Sequence, residues 1–460
     1  GVKRVIVTTE DLRRYRGVKL PTGVDVRHRD RLVATQEELA ATPGVTVLIH
    51  DQECATELRR KRKRKLVAEP TQRVFINERV CEGCGDCGQK SNCLSVQPVQ
   101  TEFGRKTRIH QASCNKDYSC LDGDCPAFVT VEPGQGGISL TPPRLEPTDL
   151  PEPHVIVSTT DVNIRLTGVG GSGVVTTSQV LANAAVIDGF HVRGLDQLGL
   201  AQKGGAVVSD LRFTSAPVAQ SNKVGPALCD LYLACDLLVG ASDPNLATMS
   251  PERTVAVVDG GEVPTGSMVT HTNVAFPPSS RTMGAISARA RRLVSADVRS
   301  TCRKLFGDDQ YANVFLIGMA LQAGALPLSP QAIEDAIELN GVAVERNVQA
   351  FRWGRQQVAD AAAVEAALPR PRESAKPTPL AEQIASAVHT TDDDLRAVLT
   401  RRVGELIEYQ DADYARRYAA HVEDVRHLEA SRRGAAAEVT TAVAINLHKL
   451  MAYKDEYEVA

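Results

Sequence analysis

Seven of the chain's eleven cysteines fall between Cys81 and Cys125. The first three, Cys81, Cys84 and Cys87, recur with two residues between them in the run CEGCGDC. That spacing puts three thiolates on one tight loop, the geometry a cubane iron–sulfur cluster needs. Gly83, Gly85 and Gly88 would let the backbone wrap close to an inorganic core. In two-cluster proteins of this chemistry the fourth ligand of each cluster comes from the other motif, and the last cysteine is followed by proline. Cys125-Pro126 fits that role, so the expected first ligand set is Cys81, Cys84, Cys87 and Cys125.

The second half-motif departs from the pattern. From Cys114, cysteines are due three and six residues on, but the chain has Asp117 and then Cys120. With Cys93 this gives three thiolates and one carboxylate, a harder ligand that should hold its iron weakly. A second cluster would be a four-iron cluster with Asp117 on one iron, or a three-iron cluster with that corner empty. Competing readings are a zinc site on four of the seven, or disulfides. Clustered cysteines with no signal-peptide pattern disfavour disulfides and point to a reducing cytoplasm.

A second centre of chemistry is Gly168-Val169-Gly170-Gly171-Ser172-Gly173, between an apolar run, Asn163–Thr167, and a helical run, Val174–Ile187. Gly168, Gly170 and Gly173 match G-x-G-x-x-G in a strand–turn–helix setting, where backbone amides, with Ser172, can receive a phosphate. For a nicotinamide cofactor the partner acid would be Asp196, but a Gly- and Gln-rich stretch follows it. A structural turn or an anion site for another cofactor competes with that reading.

The elements that must position these groups alternate. Val5–Thr9, Arg31–Leu39 and Val45–Ile49 read strand, helix, strand, as in a parallel α/β sheet. Asp51–Cys54 follows and would line a site or cap a helix, with Cys54 as a small buried residue. Arg59 to Lys65 is an unbroken run of seven cations. It resembles a nucleic-acid or nuclear-localisation patch; a solvated face, or a surface that steers an acidic carrier protein, are the other readings. Pro133–Pro153 reads as a stiff extended linker. Beyond the glycine turn, strands are expected at Ala206–Phe213, Leu231–Val239 and Thr254–Asp259. Helices are expected within Ser287–Phe306, at Asn313–Leu321 and from Pro330, capped by Ser329, and the unit runs to about Arg355. After a second linker, Pro369–Pro379, the apolar positions recur at helical steps, with charges read as a solvated face.

At 460 residues the chain should hold about three domains. Its formal charge of −3 argues against a dedicated nucleic-acid binder, and no run of 18 apolar residues offers a membrane span. Gly1-Val2-Lys3, without Met, and the abrupt Tyr457–Ala460 suggest part of a longer polypeptide.

Several motifs resemble one family. CEGCGDC, SNCLSV at 91–96, TEFGRK at 101–106 and SCNKD at 113–117 resemble the ferredoxin segment of fused indolepyruvate:ferredoxin oxidoreductases, which are thiamine-diphosphate-dependent 2-oxoacid oxidoreductases. The glycine turn, GLAQKGG at 199–205, LPLS at 326–329 and ELNGVAVERNVQAFRWGR at 338–355 resemble the family's γ domain. TEDLRRYRGVKLP at 9–21 and VLIHDQECATELRRKRK at 47–63 resemble the end of its thiamine-binding domain, and LIEYQDADYARRYAAHV at 406–422 its C-terminal domain.

The resemblance implies a multidomain α/β chain. It would comprise a thiamine-domain tail (1–70), a ferredoxin-like iron–sulfur segment (71–132), a linker (133–160), a Rossmann-like γ domain (161–360), a second linker (361–379) and a helical domain (380–460). It implies oxidative decarboxylation of an arylpyruvate with coenzyme A to an acyl-CoA and CO2, with electrons passing through 4Fe-4S clusters to ferredoxin. Thiamine diphosphate, Mg2+ and the catalytic residues are expected upstream of this chain, in the rest of a cytoplasmic, homodimeric polypeptide. Gly168, Gly170, Gly171, Ser172 and Gly173 are then the natural site for the CoA phosphates. A nicotinamide-dependent reductase and a non-enzymatic assembly module are the other two readings.

Overall fold

The computed structural model describes residues 1–101, 103–123, 125–132, 134, 142–199, 201, 204–369, 377–434 and 437–453, without the side chains of Lys63 and Arg433. Pro133, Gln202 and Lys203 of the GLAQKGG motif, residues 370–376 of the second linker and Tyr457–Ala460 lie outside the described residues. The chain forms two compact units, residues 1–73 with 115–118, and residues 74–114 with 119–460.

The first unit is built on β1 (Val2–Thr9), β2 (Val24–His28), α1 (Leu32–Ala41), β3 (Val45–Asp51) and α2 (Ala55–Lys63). The three strands form a parallel sheet in the order β2-β1-β3. Central β1 buries Ile6, Val7, Thr8 and Thr9, as its β-branched run requires. Only β2 was not expected, because Val24 and Val26 alternate with charges in a short segment. Cys54 is exposed at the N-cap of α2 rather than buried. Hydrogen bonds from the amides of Glu57 and Thr56 lower its thiol pKa.

The second unit starts with two small sheets. β4 (Arg73–Ile76) pairs with β7 (Phe128–Val131), and β5 (Val96–Thr101) forms an antiparallel hairpin with β6 (Gly104–Ile109). The short helix α3 (Asp86–Ser91) lies between β4 and β5.

A six-stranded sheet then carries most of the core. Its strands are β8 (Asp161–Val169), β9 (His191–Leu198), β10 (Ala206–Thr214), β11 (Leu231–Ala234), β12 (Val255–Asp259) and β13 (Arg292–Ala296), in the order β13-β12-β11-β8-β10-β9. The four from β13 to β8 are parallel, whereas β10 runs antiparallel to both its neighbours. The helices are α4 (Val174–Ile187), α5 (Leu237–Gly240), α6 (Asp243–Leu246), α7 (Gly266–Thr270), α8 (Ser279–Ser287), α9 (Val298–Phe306), α10 (Ala312–Gln322), α11 (Pro330–Asn340), α12 (Val344–Ala359) and α13 (Ala361–Ala367). The expected strand at Leu231–Val239 stops at Ala234, because the Asp236 carboxylate accepts from the Val239 amide and starts α5. β13 follows the Thr254–Asp259 strand in the sheet but was not expected. Arg165 and Asp210, opposite each other on β8 and β10, form a buried two-pronged ion pair at 2.7 Å.

Pro142–Pro153 is a strap packed on this domain rather than a free linker. Trp353 donates to the Pro143 carbonyl, Arg352 to Leu145, and Arg355 and Gln322 both to Pro151. Proline-rich backbone has carbonyls to spare, and α10 and α12 supply the donors.

α10 and α12 cross so closely that a Cβ on Gly318 would overlap the Phe351 carbonyl and one on Gly354 the Phe315 carbonyl. Gly354→Ala should therefore lower stability by about 1–3 kcal/mol. Gly284→Ala in α8, which meets nothing within 4 Å, should be neutral or raise it by up to about 1 kcal/mol. Urea unfolding of the two variants checks this; equal effects would contradict the close crossing.

The chain ends in a helical bundle of α14 (Pro379–Ala385), α15 (Asp393–Tyr409), α16 (Ala412–Arg433) and α17 (Glu438–Met451). Its core includes Leu395, Leu399, Val403, Leu406, Tyr418 and Val422. Not all its charges are solvated. Arg402, fully buried, lies 4.4 Å over the ring of Phe103, which also stacks on His448. Glu405 pairs with Arg402 at 2.7 Å, His448 at 3.1 Å and Arg79 at 3.6 Å. These side chains are inside because Phe103, at the β5–β6 turn, covers them.

Burial works to raise the Glu405 pKa, but hydrogen bonds from His448 and Arg402 prevail and hold it at about 2. A depressed carboxylate stabilises the fold above its unfolded value of 4.5 and loses that contribution as pH falls toward 2. Glu405→Gln should flatten the loss of stability between pH 5 and pH 2 relative to the parent chain; parallel pH profiles in urea unfolding would contradict the pairing.

Candidate iron–sulfur segment and glycine turn

Cys81, Cys84, Cys87 and Cys125 are brought together by two local devices. The Cys81 amide donates to the Asn77 carbonyl, while the Asn77 amide donates to the Ala127 carbonyl at 2.8 Å. This bond extends the β4–β7 pairing and sets Cys125-Pro126-Ala127 beside the start of the cysteine loop. Lys106, buried on β6, donates to the Cys81 carbonyl at 2.6 Å, and the Gly83 amide donates to the Cys81 sulfur at 3.3 Å. Cys87 then enters the first turn of α3.

The Cys87 thiol reports the result. Burial pushes its pKa up to about 11, and the charges of Cys81, Cys84 and Cys125 push the same way. The three thiols acting on Cys87 are those the spacing assigned to one cluster. Burial and these neighbouring thiols both disfavour the Cys87 thiolate in the absence of a cationic centre. Among the described residues, no three His, Cys, Asp or Glu side chains converge as for a single metal ion. The ligands of a cubane sit on four different irons and have no need to meet at one point. None of the eleven cysteines is in a disulfide.

Two glycines of the loop admit close protein neighbours. A Cβ on Gly83 would overlap the Arg105 carbonyl, and one on Gly88 would come within 2.6 Å of the Val269 carbonyl. They allow close approach to β6 and to α7. Arg105 completes this seam by donating to the carbonyls of Met268, His271, Thr272 and Val274.

Cys93 follows α3, and Cys114 and Cys120 flank the next loop. The segments that follow Cys93 and precede Cys114 are tied together at the base of the β5–β6 hairpin: the His110 amide donates to the Ser95 carbonyl and the Ser113 hydroxyl bonds Ser95 at 2.9 Å. His110 also bonds Asp309 at 2.9 Å. Asp117 is exposed on the segment Asn115–Tyr118, which belongs to the first compact unit, while the three cysteines belong to the second.

The glycine turn joins β8 to α4 as expected, with Gly173 as a left-handed N-cap. Several of its donors are spent internally. The Gly170 amide donates to Gly205, and the Ser172 amide and hydroxyl both donate to Val169. Gly168 sits tight against Val174, and Asn313 donates to the Ser172 carbonyl at 3.0 Å. Asp196 does not serve a nicotinamide. Strand β10 is inserted between β8 and β9, and the Asp196 carboxylate accepts from Ser209 on β10 at 2.5 Å. A dinucleotide fold needs these two strands side by side.

Comparison with known proteins bears on the six-stranded domain. Residues 163–357 match the family model of pyruvate ferredoxin/flavodoxin oxidoreductase. This region is similar to subunits of 2-oxoacid:ferredoxin oxidoreductases. The chain is 25% identical over 198 residues to the indolepyruvate oxidoreductase subunit IorB of Archaeoglobus fulgidus, covering 43% of this chain and 94% of that one. It is 29% identical over 195 residues to the 2-oxoglutarate synthase subunit KorC of the same organism, covering 42% and 86%. Among solved structures, the pyruvate oxidoreductase subunit PORC of Thermotoga maritima aligns at 18% identity and a TM-score of 0.32, covering 43% of this chain and 96% of that one. Residues 395–460 match a family of unknown function. No helix among the described residues is long and apolar enough to cross a membrane.

Proposed function

We propose that this chain is the electron-exit and γ portion of a 2-oxoacid:ferredoxin oxidoreductase of the indolepyruvate type. The reaction is the oxidative decarboxylation of an aryl 2-oxoacid with coenzyme A to an acyl-CoA and CO2, with ferredoxin as acceptor. The relationship to oxidoreductase subunits supports the reaction class. The observation that carries the electron-exit role is the gathering of Cys81, Cys84 and Cys125 around Cys87.

Those four residues would hold a 4Fe-4S cluster, which when bound takes up and releases one electron at a time. The chain contributes the rest. Lys106 and Asn77 fix the cysteine loop, the Gly83 amide hydrogen-bonds the Cys81 sulfur, and burial of Cys87 keeps water from that side of the site. Cys93, Cys114, Asp117 and Cys120 are the proposed ligands of a second, weaker cluster. The phosphates of CoA are proposed to lie at the Gly168–Gly173 turn. With the Gly170 and Ser172 donors engaged internally, the amides at the start of α4 would receive them. Thiamine diphosphate and Mg2+ are assigned to no residue described above, and the homodimer expected from the resemblance is kept as a proposal. No observation favours the nicotinamide reading or the assembly module.

Iron and acid-labile sulfide counted on anaerobically prepared chain test the reading. Cys84→Ala should remove about four irons per chain, while Cys229→Ala, in the γ core, should remove none. Full iron retention in Cys84→Ala would overturn the assignment.

A further inference from the structure

The seven cations from Arg59 to Lys65 have no part in the site described above. They run along the second half of α2 and just past it, in a chain whose net charge is −3. Glu53 holds Lys61 at 2.5 Å and Glu57 holds Arg60 at 3.2 Å. Arg62 turns inward and donates to the Asn115 carbonyl at 2.6 Å. The outer side of this segment stays charged and exposed at Arg60, Arg64 and Lys65, and the chain then exposes two large apolar residues, Leu66 and Val67. An apolar centre beside a polar, charged rim is the composition of a protein-docking patch. Nucleic acid would be served by the cations alone.

What lies beside this patch gives it a use. The segment Asn115–Tyr118 packs in the same compact unit. Lys116 pairs with Glu69, and the Tyr118 hydroxyl donates to the Gln72 carbonyl at 3.1 Å. Lys116 and Tyr118 both hold left-handed backbone conformations, which non-glycine residues seldom adopt, so the packing fixes this loop tightly. The loop is the covalent bridge from Cys114 to Cys120.

We propose that the face from Arg59 to Val67, with Lys116 at its edge, is the docking surface for an acidic one-electron carrier protein. The proposal rests on the reading of the cysteine segment as an electron exit. Opposite charge steers the carrier in, and Leu66 and Val67 hold it once docked.

The test is calorimetric titration of the full chain, prepared anaerobically, with a purified acidic 4Fe-4S ferredoxin at low and at physiological ionic strength. Reversing two charges, Arg60→Glu with Arg64→Glu, should weaken binding on the order of tenfold at low salt and less at high salt. Leu66→Ser should weaken it at both. Unchanged affinity in the double variant and in Leu66→Ser would overturn the proposal. So would a DNA duplex that binds the parent chain more tightly than ferredoxin does. Iron is counted on the same samples. Charge-dependent binding by an iron-free chain would leave the surface standing and sink the electron-exit reading; an iron-loaded chain whose binding ignores both substitutions would sink the surface alone.

Discussion

The arginine at position 105 holds the second unit in its working arrangement. Its guanidinium reaches the carbonyls of Met268, His271, Thr272 and Val274, which belong to α7 and the turn after it. A planar cation with five donors matches such a ring of backbone acceptors, and a shorter or uncharged side chain would leave them unserved. The contact needs β6 to lie flush on α7, and that is why Gly83 and Gly88 have no side chains there. One charged group thereby fixes the cysteine loop against the six-stranded domain.

The neighbours of Arg105 on the same hairpin carry the other connections. Phe103 sits under Arg402 and His448 and ties in the helical bundle. Lys106 points the opposite way and holds the Cys81 carbonyl. His110, at the end of β6, reaches Asp309, whose carboxylate is kept low by His110, Arg299 and Arg303 against the upward pull of burial. A single two-stranded ribbon thus contacts the cysteine loop, helical and turn segments of the six-stranded domain, and the C-terminal helices.

Much of this was legible in the sequence where the signal is local. The Val174–Ile187 helix and the Ser329-Pro330 helix start depend on neighbouring residues and came out as expected. The proposed first ligand set rests on the same kind of local signal, since Cys125 is marked by the proline after it. What failed to show depends on partners far away in the chain. β2 and β13 are strands because of their sheet neighbours, not their composition. Pro142–Pro153 looked like a linker because its carbonyl partners, Trp353, Arg352, Arg355 and Gln322, lie some two hundred residues on. Arg402, Glu405 and His448 looked solvated because nothing in their own helices announces Phe103. The inserted β10, which removes Asp196 from the glycine turn, is likewise a matter of strand order rather than of any motif.

The central claim is that Cys125 closes a cluster begun by Cys81, Cys84 and Cys87. Low-temperature electron paramagnetic resonance of the dithionite-reduced full chain tests it most directly. The account predicts a reduced 4Fe-4S signal that Cys125→Ser abolishes or shifts and that Cys54→Ser, at the exposed start of α2, leaves unchanged. A signal untouched by Cys125→Ser, or bound zinc in place of any iron signal, would contradict it.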